Sequence, residues 1–299
     1  MNVSEYNSYS NYFRKNIFDF LFENKDINEV LEKIEDYTKI YYISINSDDT
    51  NIGLISIIII FGISTIMIIS LIFLFIERYK SYYNFLSTDF WIITILGLLL
   101  YNISCLTEMG EKKIIKCHLK LIIISFGNTF TLIPVFHKLI INFPIKNRFS
   151  EWVKKNKYIF LFIFIIFDII LILITLIYPI YFIDEKEITN GKNFNICNIN
   201  NVFSNIILLI TVILKLVILL IFIILIYIEW NMETTYYDLR FLILSIHTNI
   251  LFLIVIVIFN KIQINDYIYY FIIDEITNFR FNNKLCLFIW NKNYLGIDE

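Results

Sequence analysis

The chain has 299 residues, of which 58% are hydrophobic, and its formal net charge is −2. Such an apolar composition is typical of a protein that crosses the membrane several times rather than of a soluble domain. The nearly neutral charge provides no basic patch for nucleic acid, and four separated cysteines without a CxxC motif argue against a zinc site. Because no Gly-rich nucleotide-binding loop or catalytic triad is recognisable, we expect neither an enzyme nor a cofactor or metal.

Residues 1–50 are polar and of mixed composition, with a helix-like segment at 26–40. The first residues lack the apolar core of a secretory signal peptide. If this segment lies outside the cell, we expect either that the first apolar run acts as its own insertion signal or that the chain is a piece of a longer precursor.

Six long apolar runs follow, and at 1.5 Å per residue each can cross a hydrocarbon core roughly 30 Å thick. They cover residues 52–76, 89–106, 118–141, 158–183, 203–228 and 239–260. A seventh run at 265–290 is interrupted by Asp274 and Glu275. The sequence therefore predicts an all-α, polytopic transmembrane helical bundle with six clear helices and a degenerate or truncated seventh.

The loops indicate an orientation. The 142–157 loop contains one acid, Glu151, and five cations: Lys146, Arg148, Lys154, Lys155 and Lys157. By the positive-inside rule this loop is cytoplasmic, which places the N-terminus outside. The acidic loop at 184–202 fits the outer side, whereas three lysines ahead of the third run do not: Lys112, Lys113 and Lys116.

Two charges interrupt apolar runs near their middles, Asp168 in the fourth and Lys215 in the fifth. Because successive spans run antiparallel, both charges are expected near the midplane. A lone charge there costs about 2.5–3.5 kcal/mol on insertion scales. We therefore predict a buried polar pair facing the bundle interior, which acts either as part of a switch or only to make insertion tolerable.

Residues 116–143 contain a cysteine near the start, a mid-run glycine and an aromatic-x-lysine motif near the end: Cys117, Gly127 and Phe136-His137-Lys138. This stretch resembles the third helix of class C (family 3) G-protein-coupled receptors, particularly the metabotropic GABA-receptor-like branch. The chain departs from that pattern after Lys138, where three apolar residues replace the basic end of the motif.

Other stretches resemble the same family in the same order. LSTDFWIITILGLLL (86–100) is similar to the start of its second helix, Tyr227 and Glu229 to the exit of its fifth, and YYDLRFLILSIHTN (236–249) to its sixth. Residues 26–46 resemble the last helix and strand of the periplasmic-binding-type domain of amoebal and fungal members. The resemblance implies a bundle of the seven-helix receptor type at 51–262, an extracellular remnant and juxtamembrane segment at 1–50, and a degenerate seventh helix and tail at 263–299.

The resemblance also implies functional residues and partners. It implies a disulfide between Cys117 and Cys197, and an ionic lock of the inactive state between Lys138 and Asp238. The basic loop at 142–157 would face a heterotrimeric G protein, and the chain would form a homo- or heterodimer in the lipid bilayer of the plasma membrane. No ligand follows from the sequence.

Two alternatives to a signalling receptor are open. A non-signalling receptor remnant or partner subunit would account for the interrupted seventh run and the short N-terminal segment. A small transporter or channel would use Asp168 and Lys215 along an ion path, although the sequence shows no inverted repeat.

Overall fold

The computed structural model describes residues 3–23, 25–45, 50–83, 85–145, 147–177, 180–186, 188, 192–199, 201–230, 243 and 267–273. The chain begins with helices α1 (Val3–Glu23) and α2 (Ile27–Thr38), followed by the short strand β1 (Ile40–Tyr41). The rings of Tyr12 and Tyr37 stack with their centroids 4.5 Å apart and hold α1 against α2. The helix-like segment predicted at 26–40 thus corresponds to α2.

Five described helices are long and apolar enough to cross a membrane. They are α3 (Ile52–Phe73), α4 (Thr88–Leu106), α5 (Ile114–Asn142), α7 (Lys157–Ile177) and α8 (Val202–Glu229); a short helix, α6 (Arg148–Lys155), lies between α5 and α7. A 3₁₀ helix at Glu77–Tyr83 connects α3 to α4. The prediction of an all-α transmembrane bundle is confirmed, and its first five runs correspond to these five helices.

The fourth predicted run ends earlier than expected, and the sixth and seventh runs lie mostly outside the described residues. The fourth run was expected to continue to residue 183, but α7 ends at Ile177 and residues 181–183 belong to a strand. Strand residues such as Phe182 and Ile183 are as apolar as a span, so hydropathy alone does not separate the two. The sixth run lies outside the described residues except for Ile243, and of the seventh only residues 267–273 are described, as a helix.

A small three-stranded sheet lies at one end of the bundle. Strands β2 (Tyr181–Lys186) and β3 (Asn193–Ile199) form an antiparallel hairpin between α7 and α8, and β1 pairs in parallel with β3. The apolar-run analysis did not predict this sheet. It connects the segment before α3 to the loop before α8, and we call this end of the bundle the sheet end.

The opposite end, which we call the α6 end, is formed by α6, the last turns of α5 and the first turns of α4 and α7. Its core combines large apolar side chains from several helices, including Phe90, Trp91, Leu139, Val153 and Phe160. A separate apolar cluster at the sheet end includes Tyr41, Phe194 and Tyr267. Each end of the bundle therefore has its own core.

Helices α4 and α5 approach each other closely where two glycines meet. A methyl group placed on Gly97 would lie 2.9 Å from the Gly127 carbonyl oxygen, and one on Gly127 would lie 3.2 Å from the Gly97 carbonyl oxygen. Small residues at a membrane helix interface allow such backbone contact. These glycines therefore fix the spacing of α4 and α5 in the middle of the bundle.

Candidate functional site

A buried polar centre joins α5, α7 and α8. Asp168 is fully buried in the middle of α7, and Thr129 on α5 is 2% exposed. Lys215 on α8 donates to Asp168 Oδ1 at 2.6 Å and to Thr129 Oγ1 at 2.8 Å, while the Thr129 hydroxyl donates to Asp168 Oδ2. Both carboxylate oxygens are therefore hydrogen-bonded, and the two opposite charges neutralise each other within apolar surroundings.

The structure thus brings Asp168 and Lys215 together and adds a third member that the sequence reading missed. A threonine inside an apolar helix gives little signal, because threonines commonly bond to their own helix backbone, as Thr131 does to the Gly127 carbonyl at 2.8 Å. Only the facing charges on α7 and α8 distinguish Thr129.

Hydrogen bonds on the neighbouring helices extend this polar layer. The Tyr101 hydroxyl on α4 donates to Asn128 Oδ1, directly beside Thr129 on α5. Asn102 is fully buried on α4 and its amide nitrogen lies 3.4 Å from Ser64 Oγ on α3. All five described spans therefore contribute a polar side chain to the middle of the bundle.

At the α6 end, Lys138 on α5 is partly exposed, and Asp238, its predicted lock partner, lies outside the described residues. The charge of Lys138 does reach another acid, Glu229, which ends α8 and is fully buried. Among the described residues no donor bonds to either carboxylate oxygen of Glu229. The sequence reading noted Glu229 only through the family resemblance, since burial of an acid at the end of an apolar run has no local signature.

The predicted basic loop separates into two groups. Arg148, Lys154 and Lys155 are exposed on α6, while Lys157 begins α7 and forms an ion pair with Asp89 in the first turn of α4. The Tyr158 hydroxyl donates to the same Asp89 oxygen at 2.7 Å. Lys157 therefore connects two helices in addition to contributing charge, and Lys146 lies outside the described residues.

Helix α6 has one polar cap of its own and two polar contacts that dock it on the end of α5. Asn147 caps α6 by accepting from the Ser150 amide at 2.6 Å, and the Ser150 hydroxyl donates to the Ile140 carbonyl at 2.9 Å. His137 Nε2 donates to the Val153 carbonyl at 3.3 Å, and the Val153 side chain is fully buried. One face of α6 is thus fixed to the bundle, which determines what its other face presents.

At the sheet end, Cys117 in the first turns of α5 forms a disulfide with Cys197 in β3, with a Cα–Cα distance of 6.0 Å. Nearby, the buried carboxylate of Glu108 accepts from Lys120 at 2.8 Å and also pairs with Lys112. A cavity of about 220 Å³ beneath the disulfide is lined by both cysteines, by these three charged residues and by Tyr181. Burial raises the pKa of the Tyr181 hydroxyl, so it remains a neutral hydrogen-bonding group at physiological pH.

Among the described residues, no group of three His, Cys, Asp or Glu side chains is arranged to hold a metal ion. The arrangement is that of a multi-pass helical membrane protein with a covalently fixed sheet end, a central polar contact and a basic helix at the other end.

Comparison with known families assigns the bundle. Residues 46–273 match the family model described as "7 transmembrane sweet-taste receptor of 3 GCPR", which represents the transmembrane domain of class C G-protein-coupled receptors. Because the match covers more than two thirds of the chain, the protein belongs to this receptor family and is a multi-pass membrane protein. No curated protein matches the chain significantly.

Proposed function

We propose that this protein transmits an extracellular signal to a heterotrimeric G protein. The main support is the contact of Asp168, Thr129 and Lys215, because it joins three spans midway between two differently built ends. A relative movement of α5, α7 and α8 has to preserve or exchange these hydrogen bonds. Such a contact favours a few discrete helix arrangements over a continuous range of them, which is what a receptor switch requires.

The proposed orientation places the sheet end outside the cell. A disulfide forms and persists in an oxidising compartment, which favours this side for Cys117 and Cys197. The exposed cations of α6 favour the cytoplasm for the other end. In the plasma membrane the N-terminus would then be outside, with residues 1–50 as the extracellular segment, 51–262 as the bundle and 263–299 as a degenerate seventh helix and tail.

At the cytoplasmic end we propose that Lys138 forms the ionic lock with Asp238. Lys138 is suited to this role because it is partly exposed at the α6 end. The G protein would contact the loop at 142–157 through Lys146, Arg148, Lys154 and Lys155, with Lys157 holding the base of the loop.

We also propose membership of the metabotropic GABA-receptor-like branch of the amoebal and fungal type, and a homo- or heterodimeric assembly. The order of α2 and β1 supports the first point, because residues 26–46 were expected to form a helix followed by a strand. The dimer is an expectation from the family alone.

The test is G-protein nucleotide exchange with the full-length chain in proteoliposomes, measured with a panel of purified heterotrimers. Lys138→Ala should raise basal exchange on the order of fivefold, because typical switching couplings correspond to factors of roughly 5–150. Lys113→Ala is the matched control, since this lysine is 67% exposed at the opposite end. Equal exchange for the two variants would contradict the lock, and no exchange by any variant would favour a non-signalling remnant or partner subunit.

The same proteoliposomes test the transporter alternative. A receptor should show no ion flux that depends on the central charge. Flux that is present in the wild type and lost in Asp168→Asn would favour a transporter or channel instead.

A further inference from the structure

Helix α6 exposes two aromatic side chains that are not part of the buried core of the bundle. Phe149 is 55% exposed and Trp152 is 40% exposed, and their rings stack with centroids 6.4 Å apart and an interplanar angle of 19°. Just before the helix, Ile145 is 69% exposed. Because Ser150 and Val153 fix the neighbouring face of α6 to α5, this apolar face has a defined direction.

Exposed cations lie on another face of the same short helix. Arg148, Lys154 and Lys155 are all exposed on α6, against the single acid Glu151. A short helix with aromatic side chains on one face and cations on another is typical of segments that lie in the membrane–water interface.

The chain connections keep α6 at this level. Only Asn156 separates the end of α6 from the start of α7, which is a membrane span. Before α6, five residues separate it from the end of α5, another span, and at about 3.3–3.6 Å per residue they reach only some 20 Å. The exposed side chains Tyr158 and Ile159 then continue from α6 onto the lipid-facing surface of α7.

We propose that α6 is a binding surface for anionic phospholipid. Phe149 and Trp152 insert among the lipids at the interface, and Arg148, Lys154 and Lys155 contact the negatively charged headgroups whenever no G protein occupies these cations. The lipid bilayer is favoured over a protein partner as the occupant of the aromatic face because this face adjoins the lipid-facing surface of α7, from which only Asn156 separates it. A bilayer rich in phosphatidylserine on the same side would therefore hold α6 in place.

The first test locates Trp152. The full-length chain is placed in nanodiscs of phosphatidylcholine, with and without bromine atoms on the upper part of the acyl chains. The chain has four tryptophans, so the fluorescence of Trp152 is obtained as the difference between the wild type and Trp152→Phe. Brominated lipid should quench a larger fraction of the wild-type emission than of the variant emission. Equal quenching would place Trp152 away from the acyl chains and overturn the proposal.

The second test measures the charge preference. Phosphatidylserine retained by the chain is counted by native mass spectrometry after reconstitution in mixed phosphatidylcholine and phosphatidylserine. Lys154→Gln combined with Lys155→Gln should weaken retention on the order of tenfold, since each basic residue near an anionic surface contributes a several-fold factor. Lys33→Gln combined with Lys113→Gln removes the same charge away from α6 and should leave retention unchanged.

These readouts contain no G protein, so their outcome is independent of the proposed signalling function. If the Lys154 and Lys155 variant retains phosphatidylserine normally but activates G protein less, the surface is a protein contact and the lipid proposal is wrong. Because the substituted lysines are exposed, circular dichroism should show an unchanged helix content, and a loss of phosphatidylserine without unfolding supports the proposal.

Discussion

The two ends of the bundle are held together by different kinds of bonds. At the sheet end, a disulfide links residues 80 positions apart, and the β1–β3 pairing ties the segment before α3 to the same strand. At the α6 end, a short helix is held by one cap and by two side-chain contacts to backbone carbonyls, and a partly exposed ion pair joins α7 to α4. The first end includes a covalent bond, whereas the contacts described at the second end are all noncovalent.

This difference indicates that the α6 end can change shape at a lower energetic cost than the sheet end. Breaking the sheet end requires the loss of a covalent bond or of several coupled hydrogen bonds. At the α6 end, by contrast, individual contacts contribute about 1 kcal/mol or less. Substitutions at the two ends should therefore fall into two ranges of stability loss, and four of them test this expectation.

The largest effect is expected from removing the disulfide. Cys197→Ser should lower the free energy of unfolding by roughly 4 kcal/mol, because the bond closes a loop of 80 residues in the unfolded chain. Thermal unfolding in detergent measures the loss. Cys117→Ser and the double variant should show the same loss as Cys197→Ser, since all three lack one bond; additive losses would indicate that the cysteines contribute separately.

The second-largest loss of stability is expected from substituting Asn193, which is 3% exposed at the start of β3. Its side chain donates to the Tyr37 carbonyl at 2.8 Å and accepts from the Ile188 amide at 2.8 Å. Asn193→Ala leaves one buried and one partly buried backbone group unsatisfied and should destabilise by about 1–3 kcal/mol. The matched variant Asn198→Ala, on the exposed part of the same strand, should change the melting temperature much less; similar losses would show that the hydrogen bonds of Asn193 carry little of the stability.

A smaller and more local effect is expected at the α6 end. Asn147→Ala removes the N-cap and should destabilise α6 by about 1 kcal/mol. Hydrogen exchange should become faster for amides within Arg148–Lys155 and remain unchanged in the sheet. Asn201→Ala is the control, because Asn201 is the N-cap of α8 and its side chain makes no cap hydrogen bond. Faster exchange throughout the bundle would show that α6 does not open on its own.

The smallest effect is expected for the ion pair between α7 and α4. Lys157→Gln should cost at most about 1 kcal/mol, because the two side chains are 33% and 46% exposed. The cost should shrink as salt is added. Tyr158→Phe removes a hydrogen bond to the same Asp89 oxygen. Because the tyrosine hydroxyl is neutral, the effect of this variant should be nearly independent of salt. A salt-independent loss in Lys157→Gln would assign the effect to packing of the lysine stem instead.

Much of the fold could be predicted because apolar length alone defines a membrane span. The runs at 52–76 and 203–228 correspond closely to α3 and α8 for this reason. The sheet could not be predicted in the same way. Ile40 pairs with Asn193, and two extended segments so far apart in sequence carry no local signal that they will meet.

The central polar contact was partly predictable for a related physical reason. A charge in the middle of an apolar helix needs a partner, and Asp168 and Lys215 lie on consecutive antiparallel spans. Thr129 and Glu229 gave no comparable signal, because their importance depends on which side chains face them in the folded chain. The docking of α6 on α5 could not be predicted either. Only Ser150 and Val153 are buried in this eight-residue helix, and two residues are too few to give a recognisable pattern.

The contact of Gly97 with Gly127 has a further consequence for motion. Where two helices touch through their backbones, no flexible side chains lie between them to absorb sliding or rotation. Helices α4 and α5 therefore behave as a single stiff frame, to which the disulfide is attached at one end and α6 at the other. Helices α7 and α8 contact this frame through Asp168 and Lys215, which both bond to Thr129 on α5.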